Sequence, residues 1–217
     1  MLRTLTAIAA LLIAPVLSAQ QAADAVAPET GTDTALSLTT AELQSAWERK
    51  QAGQPVEAQN WMISAANPLA VEAGARILRG GGSAADAMVA TQLVLGLVEP
   101  QSSGLGGGAF LVWYDADTGE LTTLDGRETA PLAATPRLFQ TESGEPMRFF
   151  DAVVGGRSVG TPGTPALLEE AHRRWGRSPW PDLFDDATRL AEDGFTVSPR
   201  LAALVTADAE RLALHPH

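Results

Sequence analysis

The stretch from Ala84 to Val98 is apolar on nearly every side, broken only by Asp86, Thr91 and Gln92. Wound at helical period it offers no face to water, so it requires cover all round. The pattern therefore predicts a helix lying between layers and beneath a sheet. Ser83 stands where it can cap the start, with Asp86 three residues on to complete a box-like cap. Pro100 stops it. The rest of the chain has to supply the cover. Hydrophobic residues make up 45% of the sequence, enough for a globular core.

The neighbouring segments indicate what that cover is. Trp61–Ser64 reads as a short strand. Asn67 is placed to cap another helix, with Pro68 at its first position, where the missing N–H is harmless. Leu69, Ala73 and Ile77 form one apolar stripe on it, and Gly80 to Gly82 end it. Past Pro100 stand Gly104, Gly106, Gly107 and Gly108, after which the period changes to that of a strand. Ala109–Tyr114 is apolar and aromatic, Asp117-Thr118-Gly119 makes a hairpin turn, and Leu121–Leu124 returns. Ala152–Val154 reads as a further strand edge, and Pro165–Trp175, Pro181–Glu192 and Pro199–Leu214 as helices punctuated by Pro and Gly. Two helices, a hairpin and more helices make a layered α+β domain. No internal repeat is present.

The first residues have the form of an export signal, read over 1–19. Arg3 supplies a positive start, Leu5 to Leu17 is apolar, and Ser18-Ala19 offers small residues for cleavage. The run is too short to span a bilayer comfortably, so no stable membrane span is expected; an uncleaved anchor is the competing reading. Residues 20–60 read as a flexible linker. Within it Thr39 begins a Thr-x-x-Glu capping box, and Leu43 with Trp47 predicts a short helix over 40–50. The compact domain then covers 61–217. An exported chain without cysteine suits a bacterial periplasm or the extracellular space.

Several chemistries are excluded. With no cysteine the chain has no disulfide, thiolate nucleophile or Cys-based zinc site. Its three histidines are scattered, two of them at the extreme C-terminus, so no metal site is expected. A net charge of −11 with no Lys/Arg cluster argues against nucleic acid.

Two features between Glu99 and Pro131 remain. Gly104 to Ala109 matches a loose G-x-G-x-x-A, and Asp125 falls where a dinucleotide fingerprint wants an acid. That fingerprint follows a strand and opens a helix, whereas this turn follows a helix and opens a strand. No Lys-Ser/Thr follows, so it is not a Walker loop either, and no cofactor is expected. Glycines supplying positive φ angles and close backbone approach at a tight corner are the stronger reading. The second feature is Arg127, set between Asp125 and Glu128. A guanidinium is a planar fork suited to bidentate capture of a carboxylate, and the two acids would hold it or compensate its charge. Spacing alone favours a salt-bridged arginine at a strand end.

Glu-Pro-Gln-Ser-Ser-Gly-Leu-Gly-Gly-Gly-Ala-Phe from Glu99 and Asp-Gly-Arg-Glu-Thr-Ala-Pro from Asp125 together resemble the large-subunit signature of the γ-glutamyltranspeptidases, or glutathione hydrolases. These are N-terminal-nucleophile hydrolases. Asn67-Pro-Leu-Ala-Val-Glu-Ala-Gly and Gly80-Gly-Gly-Ser-Ala-Ala-Asp-Ala resemble the family's opening helices. Ser158-Val-Gly-Thr-Pro-Gly-Thr-Pro and Leu190-Ala-Glu-Asp-Gly-Phe-Thr-Val-Ser-Pro-Arg resemble later segments, in the same order. Arg157 and Arg200, within or beside these, are open to a reading as charged surface groups, and neither is assigned a catalytic task. The resemblance implies a partial αββα sandwich, helix-rich and carrying one hairpin. It implies that Arg127 holds the α-carboxylate of a γ-glutamyl group, with Asp125 and Glu128 in support. Gly104, Gly106, Gly107 and Gly108 become a structural turn beside the site.

The departure from the family is equally informative. Family members cleave themselves before a threonine whose hydroxyl attacks the γ-glutamyl amide and whose freed amino group is the base. That threonine lies in a Thr-Thr-His on the small subunit. Here the Thr-Thr pairs are Thr39-Thr40, before Ala41, and Thr122-Thr123, before Leu124, and neither fits. The resemblance thus implies an N-terminal portion of a precursor, inactive alone and partnered by a small catalytic subunit. Its substrates would be glutathione and related γ-glutamyl amides. A β-lactam (cephalosporin or glutaryl) acylase of the same superfamily, or a non-catalytic remnant that binds or scaffolds, are the alternatives.

Overall fold

The computed structural model describes residues 38–214. The export signal read over 1–19 and the first part of the linker lie outside the described residues. The first element is helix α1, Ala41–Gln51. Its cap is Thr40 rather than Thr39. The Thr40 hydroxyl accepts from the Leu43 amide at 3.3 Å, the third helical N–H, which is the reach of a capping side chain. The box with Glu42 therefore does not form. Thr40 instead donates to Glu72 Oε2 at 3.3 Å, tying the start of α1 to the helix that follows.

Trp61–Ser64 forms no strand. A strand needs a partner for its backbone groups, and among the described residues none runs beside this segment. Ile63 alone turns inward against the core, while Trp61 and Met62 are exposed.

Helices α2 (Pro68–Arg79) and α3 (Ala84–Val98) form the centre of the molecule. Asn67 caps α2, its side chain accepting from the Leu69 amide at 3.0 Å. The buried stripe runs through Ala70, Ala73, Gly74 and Ile77, with Leu69 at its margin rather than in it. Gly74 permits the close packing of the pair. A Cβ there would collide with Ile63 Cδ1 and Thr91 Oγ1. On α3 the residues Ala85, Ala87, Val89, Ala90, Leu93, Val94 and Val98 are buried, while Ala84 is exposed and Met88, Leu95 and Leu97 are half-buried, so the cover is not complete all round. The cover comes chiefly from helices rather than from a sheet.

Among the described residues the sheet is one antiparallel hairpin of β1 (Ala109–Asp115) and β2 (Glu120–Gly126). Its register pairs Ala109 with Gly126, Val112 with Thr123 and Asp115 with Glu120. Asp115 closes the turn, its carboxylate accepting from the Asp117 and Thr118 amides at 2.9 and 3.2 Å. Alternation divides the hairpin. Leu111 and Leu124 pack on the core, while Phe110, Val112, Tyr114 and Leu121 are exposed. Trp113, on the inner face, stacks on Trp175 at 4.5 Å between ring centroids and 7° between planes.

The remaining elements are α4 (Phe149–Val153), a 3₁₀ turn at Gly156–Ser158, α5 (Thr164–Trp175), a 3₁₀ segment at Trp180–Phe184, α6 (Asp185–Asp193), α7 (Pro199–Ala207) and α8 (Ala209–Leu212). Two expectations fail here. The strand edge expected at Ala152–Val154 is instead the last turn of α4 and its cap, because the Ala152 and Val154 amides bond locally to the Arg148 and Phe150 carbonyls at 3.0 and 3.2 Å. The helices expected over Pro181–Glu192 and Pro199–Leu214 are each broken. A tight 3₁₀ segment that buries Leu183 precedes α6, and Asp208 separates α7 from α8.

Asp86, fully buried, joins three parts of this core. Its Oδ2 accepts from the amides of Ser83, Arg177 and Ser178 at 2.8, 2.9 and 3.0 Å, and Ser83 Oγ accepts from the Asp86 amide at 3.1 Å. The box at the start of α3 thus also holds the chain between α5 and the 3₁₀ segment. Burial pushes the carboxyl pKa up, but the amide donors outweigh it and leave the group below the ordinary carboxylate value. Asp86→Ala should cost about 3 kcal/mol at neutral pH, because the buried amides lose their acceptor. A shift of the denaturation midpoint would measure this. A depressed folded-state pKa contributes stability above the unfolded value and loses it as pH falls through the folded one. The gap between wild type and variant should therefore narrow in acid.

Candidate active site

Arg127 follows directly on the end of β2, and its backbone is held from both sides. The Asp125 carboxylate accepts from the Arg127 amide at 2.9 Å. Two residues on, Thr129 bridges Thr161, with N–H to carbonyl distances of 3.3 and 2.8 Å. The side chain is treated differently. It is 64% exposed, and its Nε lies 3.5 Å from Glu128 Oε2, an oxygen with no hydrogen-bond partner. Of the two acids flanking Arg127, Asp125 therefore secures the backbone and only Glu128 approaches the guanidinium. The planar fork is left largely open to solvent.

The glycine turn lies against this segment. None of Gly104, Gly106, Gly107 and Gly108 has positive φ, so left-handed backbone is not why glycine occupies the corner. Close approach is the reason, and it applies at Gly108. A Cβ there would stand 2.5 Å from the Glu128 amide nitrogen and 2.9 Å from Arg127 Cα, and would collide with Glu128 Oε2. At Gly104 and Gly106 a Cβ would meet open space. The Gly107 carbonyl accepts from the Gly163 and Thr164 amides at 3.0 and 3.1 Å, supplying a partner to N–H groups at the start of α5. A cleft of about 540 Å³ opens beside the turn, lined by Gln92, Ser102, Ser103, Glu128 and Thr164 among others. The turn leads into β1, not into a helix, so the dinucleotide geometry is absent.

Sequence reasoning missed the root of this turn. Glu99, directly after α3, is 1% exposed. Its Oε1 accepts from Asn67 Nδ2 and Ser198 Oγ, both at 2.9 Å. Its Oε2 accepts from Gln101 Nε2 at 2.6 Å and Arg200 at 3.2 Å. Burial pushes the Glu99 pKa up, yet these bonds and the Arg200 charge leave it below the ordinary carboxylate value. Arg200 is thus no surface charge, for its second nitrogen also donates to Ser102 Oγ at 3.0 Å. Arg157 binds the Leu138 carbonyl at 3.1 Å and Met147 Sδ at 3.0 Å, stapling its own loop. A signal for Glu99 is present in the sequence: it directly follows a helix that needs cover all round, and a carboxylate buried with that helix needs partners.

The family model described as gamma-glutamyltranspeptidase matches residues 70–217. The chain belongs to the gamma-glutamyltranspeptidase family. The glutathione hydrolase proenzyme of Bacillus subtilis is 43% identical over 152 residues, which are 70% of this chain and 26% of that protein. The chain thus spans about a quarter of the length of the curated relatives it matches. Among solved structures, the Helicobacter pylori gamma-glutamyltranspeptidase superposes with a TM-score of 0.70 at 34% identity, covering 74% of this chain and 46% of that one. The cephalosporin acylase of Bacillus halodurans superposes less well, with a TM-score of 0.57 at 30% identity over 75% of this chain and 31% of its own. The α+β fold is accordingly that of the N-terminal-nucleophile hydrolases in part, helix-rich with one hairpin.

Within a gamma-glutamyltranspeptidase chain, the two halves of the Glu99–Pro131 signature are one packed unit, joined where Gly108 meets Arg127 and Glu128. Gly108→Ala should destabilise the protein by about 1–3 kcal/mol through that backbone clash. Gly104→Ala should stay within about 0.5 kcal/mol of wild type. Chemical denaturation of the two variants side by side checks the contrast.

Proposed function

We propose that this chain is the substrate-anchoring part of a γ-glutamyltransferase or glutathione hydrolase precursor. Arg127 holds the α-carboxylate of a γ-glutamyl donor such as glutathione. The observation that carries this reading is Arg127 itself, whose backbone is fixed by Asp125 and the Thr129–Thr161 bridge while its side chain is 64% exposed. Because the backbone is already held, a carboxylate bound there has only the Arg127 side chain to order. Glu128 biases the fork from one side. The nucleophile is a threonine at the start of a small catalytic subunit made from the same precursor. Its hydroxyl adds to the γ-carbonyl, its amino group takes the proton and passes it to the departing amine, and a γ-glutamyl-threonine ester remains. Water or an amino acid then attacks the ester and releases the threonine. We read the precursor as exported to the periplasm or beyond, on the strength of residues 1–19.

An acylase acting on glutaryl or cephalosporin side chains is the second reading, favoured by the superposition on the Bacillus halodurans enzyme. Arg127 suits either acyl group, since both carry a free carboxylate. The α-ammonium is what differs between them. Comparing γ-glutamyl and glutaryl amides as substrates of the full-length gene product decides the matter, with preference for γ-glutamyl expected.

In that protein Arg127→Ala should raise KM for a γ-glutamyl anilide about 10- to 100-fold, the worth of a charge-assisted hydrogen bond. Arg127→Lys should fall between, because an ammonium keeps the charge and loses the fork. An unchanged KM in the alanine variant would remove Arg127 from the site. Purified residues 20–217 alone should show no turnover of the same anilide, and clear activity there would sink the assignment of the nucleophile.

A further inference from the structure

Glu99 gathers more of the fold than any other side chain near the cleft. Asn67 and Ser198, which donate to its Oε1, are also the N-caps of α2 and α7. Its backbone carbonyl accepts from the Ser102 and Ser103 amides at 3.0 and 3.1 Å, the first turn of chain leading into the glycines. Arg200 lies across this junction, one nitrogen on the Glu99 carboxylate and the other on the Ser102 hydroxyl. Ser103 is held in turn by Gln92 Nε2 at 2.7 Å. The root of the glycine turn is therefore clamped by charged and polar side chains. Its far end, at Gly108, is in backbone contact with Arg127 and Glu128.

The turn has two fixed points, its root at Glu99 and Arg200 and the Gly107 carbonyl committed to the α5 amides. Between them they set the path of the chain to Gly108 and so to the backbone that carries the fork.

We propose that Glu99 and Arg200 are positioning residues for Arg127, acting through the glycine turn to set where the guanidinium meets the substrate carboxylate. This rests on the reading of Arg127 as the carboxylate anchor. Neither residue touches substrate. Their effect is on the alignment of a group that does, and small misplacements of such a group are costly.

The test uses the full-length gene product and two anilides, the γ-glutamyl compound and the 4-aminobutyryl compound, which is the same acyl group without its α-carboxylate. Arg127→Ala is measured first and should abolish the preference for the γ-glutamyl anilide. Arg200→Gln should raise KM for the γ-glutamyl anilide about tenfold, with kcat changed less than about twofold, and reduce the preference by the same factor. Arg200→Lys, which keeps the pair with Glu99, should recover part of it. If Arg200→Gln does not fold, Ser102→Ala removes only the hydroxyl contact and should show the same split to a lesser degree. Equal losses on both anilides, or an unchanged preference in a folded Arg200 or Ser102 variant, would overturn the positioning role and leave the anchor standing. An unchanged preference in Arg127→Ala would overturn the anchor, and the positioning role with it.

Discussion

A helix that buries most of its circumference has its ends inside the protein, and each end of α3 meets a buried carboxylate. Asp86 in the first turn accepts from three backbone amides through one oxygen. Glu99, just past the last turn, accepts from four side chains. A buried charge is tolerated only when it is bonded, and breaking such a set leaves the charge uncompensated. The two carboxylates thus convert the apolar helix from a generic core element into a fixed axis. Asp86 registers the chain after α5 against it, and Glu99 registers α2, α7 and the glycine turn.

Both groups have folded-state pKa values below their ordinary ones, for the same reason. Burial opposes the charge, and the donors more than restore it. By linkage, each contributes stability in neutral solution that fades as pH falls through its folded value. The two ends of α3 are therefore weakened together by acid. The cleft beside the glycine turn hangs on one of them.

The sequence made the axis legible but not its attachments. Periodicity and capping chemistry located α2, α3 and the hairpin, because these depend on residues close in the chain: Asn67 before Pro68, Ser83 three before Asp86, Asp117-Thr118-Gly119 between two strands. Trp61–Ser64 has a strand's composition, but pairing is a property of two segments, and only one was read. Ala152–Val154 went the other way, since local carbonyls were nearer than any ladder. Arg127 and the glycines stand out in the sequence, but spacing alone reads them as a salt bridge and a tight corner, and only the family resemblance implies a role in binding for Arg127. The bonds from Glu99 to Asn67, Ser198 and Arg200 span 32 to 101 positions, beyond any pattern of spacing.

Arg127 and Arg200 show how a fold gives two identical side chains different surroundings. Arg200 is 20% exposed and divides its fork between a buried carboxylate and a serine hydroxyl, so its donors are spent within the protein. Arg127 is 64% exposed and has one carboxylate at 3.5 Å, although a bonded aspartate lies two residues away. That aspartate is committed to the backbone amide. The arrangement fixes the Arg127 main chain and withholds a full partner from the guanidinium. A surface ion pair that served only stability would contribute little in either state, and gives no reason for holding the backbone so firmly. On the proposed reading a carboxylate arriving from outside gives one, because a fixed main chain leaves only the side-chain rotamers to be ordered when it binds.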